Sequence, residues 1–196
     1  MTGLGRRPTR AEVAASVGGT TPDLVDDRTR LLLVGINPSL WSVAAGSHFA
    51  RPGNRFWPAW HAAGVLDRVV DASAGMTADD TEHVLDRGLG ITNVAWRGTA
   101  RADQLTDDEL RAGRTELAER LAVLPGVRLV AVLGLTAFRV AFDRPRADAG
   151  ATDVVLAGRP VHVAPNPSGL NAHETVASLA HAYRALAVAA GLVDGA

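Results

Sequence analysis

The chain has 196 residues, 47% apolar and 21% charged, a composition that suits one globular domain with a real core rather than a disordered chain. A formal net charge of −1 confines any anion-binding surface to a local patch, and the absence of cysteine excludes disulfides, thiol catalysis and cysteine-ligated iron–sulfur clusters. No stretch reaches the length of a membrane span and the N-terminal residues lack the apolar core of a secretion signal, so a cytoplasmic protein with no membrane partner is expected.

Residues 1–29 are polar and punctuated by Gly and Pro, with one short helix predicted near Arg10–Ser16. They read as an extension, and residues 30–192 as a single domain. Leu31–Ile36 is a continuous apolar run, the pattern of a strand covered on both faces of a parallel sheet. A loop is expected to follow. Next, Asn54 is placed to cap a helix with apolar residues at 56, 57, 60 and 63 that ends at Gly64, and Pro58 falls in its tolerant first turns. Thr77, with Asp80 three residues on, starts a second helix running to Asp86. Residues 89–95, "LGITNVA", read as a short strand running out into a loop.

Thr106–Leu124 is the clearest helix: Thr106 caps it, three acidic residues suit its positive end, and Leu110, Leu117, Leu121 and Leu124 stripe one face. Val127–Leu133 is a second buried strand, and "GLTAFRVAF" is a short helix. "TDVVLAGRPVHVAP" has the look of two strands, although Ala157–Pro160 does not match a standard tight hairpin. Glu174–Ala190 closes the chain as a helix. Strands alternating with helices predict a three-layer α/β/α sandwich around a mostly parallel sheet.

Ligands of open α/β sheets bind outside the C-terminal ends of the strands. Two unusual segments occupy such positions, "GINPSLWSVAAGSHFARPGNRFW" and "APNPSGLNAH", and both place Asn-Pro directly behind a strand. Proline removes a backbone donor and biases the preceding Asn toward an extended conformation, so a side chain is presented from a stiff support. Asn-Pro also marks simple turns, and for either copy alone that alternative stands.

The two loops together resemble the mismatch-specific uracil/thymine DNA glycosylases, the Mug and thymine-DNA glycosylase type within the uracil-DNA glycosylase superfamily. The resemblance rests on "GINPS", the Phe-Ala-x-Pro-x-Asn-Arg-Phe-Trp block and "NPSGL", and covers about Leu31 to Tyr183. It implies a uracil-DNA glycosylase-like fold and removal of uracil, or of other deaminated or mismatched bases, from double-stranded DNA to leave an abasic site. Asn37 resembles the family's catalytic Asn. An amide is no base, but its oxygen accepts a hydrogen bond from water and aims it at the sugar C1′. Phe49 matches the aromatic that stacks on the flipped base, Ser42 the small residue near the uracil 5-position, and Asn93 a pocket position that pairs with the base edge. The backbone N–H groups of Ile36 and Phe49 are the implied donors to the leaving base. In the second loop, Leu170 resembles the wedge that fills the vacated stack, with Ser168 and Gly169 offered to phosphate and Asn171 beside them.

The sequence departs from the family at three places: Ser39 stands for Gly, Trp41 for a small polar residue, and Asn171-Ala172 for Ser-Arg. Arg51, Arg55, Arg97 and Arg101 lie near the cleft loops and are candidates for a local basic rim. The histidines have no ligand-like spacing and the glycines no dinucleotide fingerprint, so neither metal nor cofactor is expected. No lysine lies in either motif loop, which argues against a Schiff-base lyase step, and the protein is expected to be a monomer. Two other functions fit the same residues: a damage- or mismatch-binding module with weak catalysis, and an α/β enzyme acting on free nucleosides.

Overall fold

The computed structural model describes residues 5–195. Its centre is a five-stranded sheet of β1 (Leu31–Gly35), β2 (Leu89–Asn93), β3 (Leu129–Leu133), β4 (Gly150–Leu156) and β5 (Arg159–Ala164), in the spatial order β2-β1-β3-β5-β4. The first four strands in that order run parallel, and β4 pairs antiparallel with β5 at the edge.

The expected three layers follow from the period-2 geometry of a strand. In β1, Leu31 and Leu33 belong to one core and Leu32 and Val34 to the other; in β3, Leu129, Ala131 and Leu133 divide likewise from Val130 and Val132. Each of these side chains is at most 2% exposed, which is why the runs contain no polar residue. The first core is closed by α3 (Phe56–Ala62), α4 (Ala78–Asp86) and α7 (Val176–Ala189), through Phe56, Trp60, Val84, Leu179 and Tyr183. The second is closed by α5 (Asp107–Ala122) and α6 (Leu135–Ala141), through Leu110, Leu117, Leu121 and Phe138.

Helix starts follow local capping. Thr77 and Thr106 each accept a hydrogen bond from the backbone N–H three residues on, and the Asp80 and Glu109 carboxylates accept one from the cap residue's N–H. At α3 the cap shifts by one: Arg55 is the cap residue, while the side-chain Oδ1 of Asn54 accepts from the Phe56 N–H at 2.9 Å.

Two expectations need correction. The loop expected behind β1 contains a helix, α2 (Leu40–Ala45), capped by Ser39 with its hydroxyl accepting from the Ser42 N–H at 3.1 Å. Ser39 has φ −69°, so it occupies ordinary extended backbone where the family has Gly. The β4–β5 connection is a tight hairpin after all. Leu156 pairs with Arg159, and both central residues, Ala157 and Gly158, have positive φ (45° and 80°), as a type I′ turn requires. Its sequence hides it because Ala rarely takes the first of those positions.

Of the expected N-terminal extension, residues 1–4 lie outside the described residues. From Gly5 on it lies against the domain, with helix α1 (Arg10–Ala15) capped by Thr9 and a final strand-like contact in which Leu24 and Ile91 exchange both backbone hydrogen bonds. That pairing covers the outer edge of β2, where unpaired backbone would otherwise face water. No helix among the described residues is long and apolar enough to cross a membrane.

Candidate active site and nucleic-acid interface

The four parallel strands all end at one edge of the sheet, and a cavity of about 330 Å³ opens there. Asn37, Ile36, Ser42, Phe49 and Asn93 line it, as do Ser168 and Leu170 from the loop behind β5. Gly169 lines a smaller cleft of about 170 Å³ beside Leu170 and Arg51. Asn171 lines neither cavity, and its side chain instead donates to the Asn166 carbonyl at 3.1 Å.

Asn37 is oriented by partners far away in the chain. Its Nδ2 donates to the Arg97 carbonyl oxygen at 2.8 Å and to Thr99 Oγ1 at 2.7 Å. Thr99 commits its own proton to the Arg101 carbonyl at 2.7 Å, so toward Asn37 it acts as an acceptor. Both contacts therefore demand the amide nitrogen, which fixes the amide's direction and leaves Oδ1 as the group free to serve the cavity. The loop supplying these acceptors is itself braced: the Arg97 guanidinium pairs with Glu109 at 2.7 Å, the same Glu that closes the capping box of α5. That guanidinium, together with the Thr106 backbone N–H, holds the Glu109 carboxyl down at about 2.

The cavity floor is aromatic. Phe49 stacks on Phe56 with ring centroids 3.8 Å apart and planes 13° from parallel, so one ring face is covered while the ring lines the cavity. Phe49 has φ 52°, an unusual value for a bulky residue, which concentrates about 1–3 kcal/mol of backbone strain at the site. The Ile36 and Phe49 N–H groups make no hydrogen bond to the described residues. A Cβ at Gly35 would overlap Asn93 Oδ1, so the glycine of "GINPS" leaves room for that amide.

Asn93 is 5% exposed and faces His48, whose Nδ1 lies 3.5 Å from Asn93 Nδ2. His48 is buried, and that burial lowers its pKa below the usual histidine range. Its Nε2 sits 2.8 Å from the Pro22 carbonyl, an obligate acceptor, so Nε2 carries the proton and Nδ1 receives the Asn93 amide. Ser42 is held between Ser39 Oγ at 3.0 Å and the Ala50 N–H at 3.3 Å. Trp41 points away from the cavity, its indole donating to the Ser73 carbonyl at 3.0 Å within the first core's rim, so it does not set the pocket's width.

The second Asn-Pro differs from the first. Asn166 Oδ1 accepts from the Ser168 N–H at 2.9 Å, so this Asn caps its own turn. Leu170 projects from that turn with 73% of its surface exposed. The four candidate rim arginines separate. Arg97 is neutralised by Glu109 and Arg101 by Asp103, Arg55 turns into the 168–171 loop, and Arg51 makes no ion pair among the described residues. The sequence reading missed Thr99, His48 and the rim carboxylate Asp103, because none carries a local signal for this site. Among the described residues no three His, Asp or Glu side chains converge as a metal site would require.

Residues 22–187 match the Uracil DNA glycosylase superfamily. The chain belongs to that superfamily. Its fold also resembles the solution NMR structure of a protein from Methanosarcina acetivorans, provisionally assigned as a uracil DNA glycosylase. The TM-score is 0.59 at 20% sequence identity, over 87% of this chain and 98% of that one, a likeness of fold alone. Superfamily membership carries a DNA glycosylase role, with hydrolysis of an N-glycosidic bond as the reaction and DNA as the partner.

Proposed function

We propose that this member of the superfamily is a monomeric, monofunctional glycosylase of the mismatch-specific type that removes uracil and related deaminated or mismatched bases from duplex DNA. The target nucleotide is flipped into the cavity, its base stacks on Phe49, and Leu170 fills the vacated stack. Asn93 donates an amide N–H to one base carbonyl and accepts from the base N3–H, the uracil pattern. As the glycosidic bond breaks, its electron pair passes to the base, and the Ile36 and Phe49 N–H groups stabilise the developing negative charge. Water held by Asn37 Oδ1 then adds to C1′ and gives up its proton to solvent.

The observation that carries this reading is the direction of the Asn37 amide, with both visible contacts on nitrogen and the oxygen left for water. An amide positions water without accepting its proton, so turnover is expected to be slow compared with a carboxylate site. The monofunctional assignment is supported by composition: all 20 residues counted as Lys plus Arg are arginine, so no lysine is present to form a Schiff base with the abasic sugar.

The test is single-turnover excision from a uracil-containing duplex, with Asn37→Ala alongside and a panel of lesions and opposing bases. Abasic product that depends on Asn37 supports the reading. Tight binding of the lesion duplex without such product would replace it with a binding module. Equal activity on a free nucleoside, unaffected by Leu170→Ala, would point to a nucleoside enzyme.

A further inference from the structure

The half-buried guanidinium of Arg55 turns into the Leu170 loop. Its Nη1 donates to the Ser168 carbonyl at 3.1 Å and to the Asn171 carbonyl at 2.9 Å, and its Nη2 reaches the Gly169 carbonyl at 3.5 Å. The Arg55 backbone N–H donates to the Pro167 carbonyl at 3.0 Å. Four carbonyls of the Leu170 loop are thus gathered by one residue. Gly169 is pressed against the same segment, since a Cβ there would overlap the Gly53 carbonyl oxygen.

Arg55 stands at a junction. The next residue, Phe56, is fully buried in the first core and carries the ring on which Phe49 stacks. The first turn of α3 therefore supports both the floor of the cavity and the loop that bears Leu170, through adjacent residues. A planar guanidinium suits this task because it presents five donors in a rigid fork. Gathering the carbonyls also withdraws negatively polarised oxygens from the loop's surface, where DNA phosphates would repel them.

We infer that Arg55 is the positioning residue of the wedge, holding Leu170 preformed at a set distance from the base pocket so that insertion costs no loop ordering. The inference rests on the reading of Leu170 as a wedge. An exposed Leu on a loosely held loop would spend part of its insertion energy on ordering itself, and a clamped one does not.

The experiment is a double-mutant cycle of Arg55→Met and Leu170→Ala, read by single-turnover excision of uracil from a duplex and from a bubble of unpaired bases. A fluorescent 2-aminopurine beside the target reports flipping. Arg55→Met and Leu170→Ala are each expected to slow duplex excision about tenfold, and Arg55→Met to leave bubble excision within about twofold of wild type and to add nothing in the Leu170→Ala background. Bubble activity also shows that each variant is folded, and Arg55→Gln, which keeps two donors, serves if Arg55→Met is not. Equal slowing on duplex and bubble overturns the inference, because Arg55 would then act on the pocket or the fold. So does a multiplicative loss in the double variant. Wild-type duplex activity in Leu170→Ala overturns the wedge reading itself, a result distinct from either.

Discussion

Replacing Thr99 by Val tests whether the direction of the Asn37 amide is what the site depends on. Val matches Thr in shape, so no cavity forms, but the hydroxyl that accepts from Asn37 Nδ2 at 2.7 Å and donates to the Arg101 carbonyl is gone. Asn37 keeps one anchor, the Arg97 carbonyl at 2.8 Å. A neutral hydrogen bond is worth about 0.5–1.5 kcal/mol net, and if all of that ordering is felt in the transition state, excision slows roughly 2- to 12-fold. The assay is single-turnover excision of uracil from a duplex with enzyme in excess, so that product release does not enter the rate. Thr99→Ser, which restores the hydroxyl, should stay within about twofold of wild type, since any difference is then a methyl group rather than a hydrogen bond. The reasoning fails if Thr99→Val runs at the wild-type rate while Asn37→Ala is inactive. Asn37 would then matter without Thr99 setting its direction.

Asn37→Asp extends the same logic. A carboxylate has no proton to give the Arg97 carbonyl, so one of its oxygens is set against that oxygen, and the variant should be slower than wild type near neutral pH despite its greater basicity; a faster enzyme would contradict the assigned geometry. Glu109 titrates near 2 in the folded protein against an ordinary 4.5, held down first by its hydrogen bond to Arg97, so its contribution to stability is complete above about 4.5 and is lost as pH falls toward 2. Glu109→Gln should accordingly flatten the fall in melting temperature across that window and leave the neutral-pH slope unchanged, and an unaltered acid profile would show the pair to be idle. At the β4–β5 turn, Ala157→Asn places a residue tolerant of positive φ where Ala now sits at 45°, and should raise stability by about 0.5–1 kcal/mol in chemical denaturation. A loss of stability there would mean that the type I′ assignment is mistaken.

Whatever depends on neighbours along the chain could be read from the residues alone. Leu31–Gly35 and Leu129–Leu133 were legible as doubly covered strands because burial on both faces leaves no polar position. Thr77 and Thr106 were legible as helix starts because a capping box closes within three residues. The two motif loops were legible as one site because parallel strands must end at the same edge of a sheet. The helix Leu40–Ala45 was not, since six residues between its cap Ser39 and a left-handed Gly46 leave no room for an apolar period. Nor was the use of the charges: four arginines near the cleft looked alike, and only the tertiary structure assigned Arg97 to Glu109, Arg101 to Asp103 and Arg55 to the carbonyls of the Leu170 loop. The same holds for the amides. Asn37 and Asn166 sit in identical Asn-Pro pairs, yet Asn166 caps its own turn, whereas Asn37 meets acceptors 60 and 62 residues away. An amide has two chemically opposite ends, and which one faces the cavity is decided by the loop that folds against it.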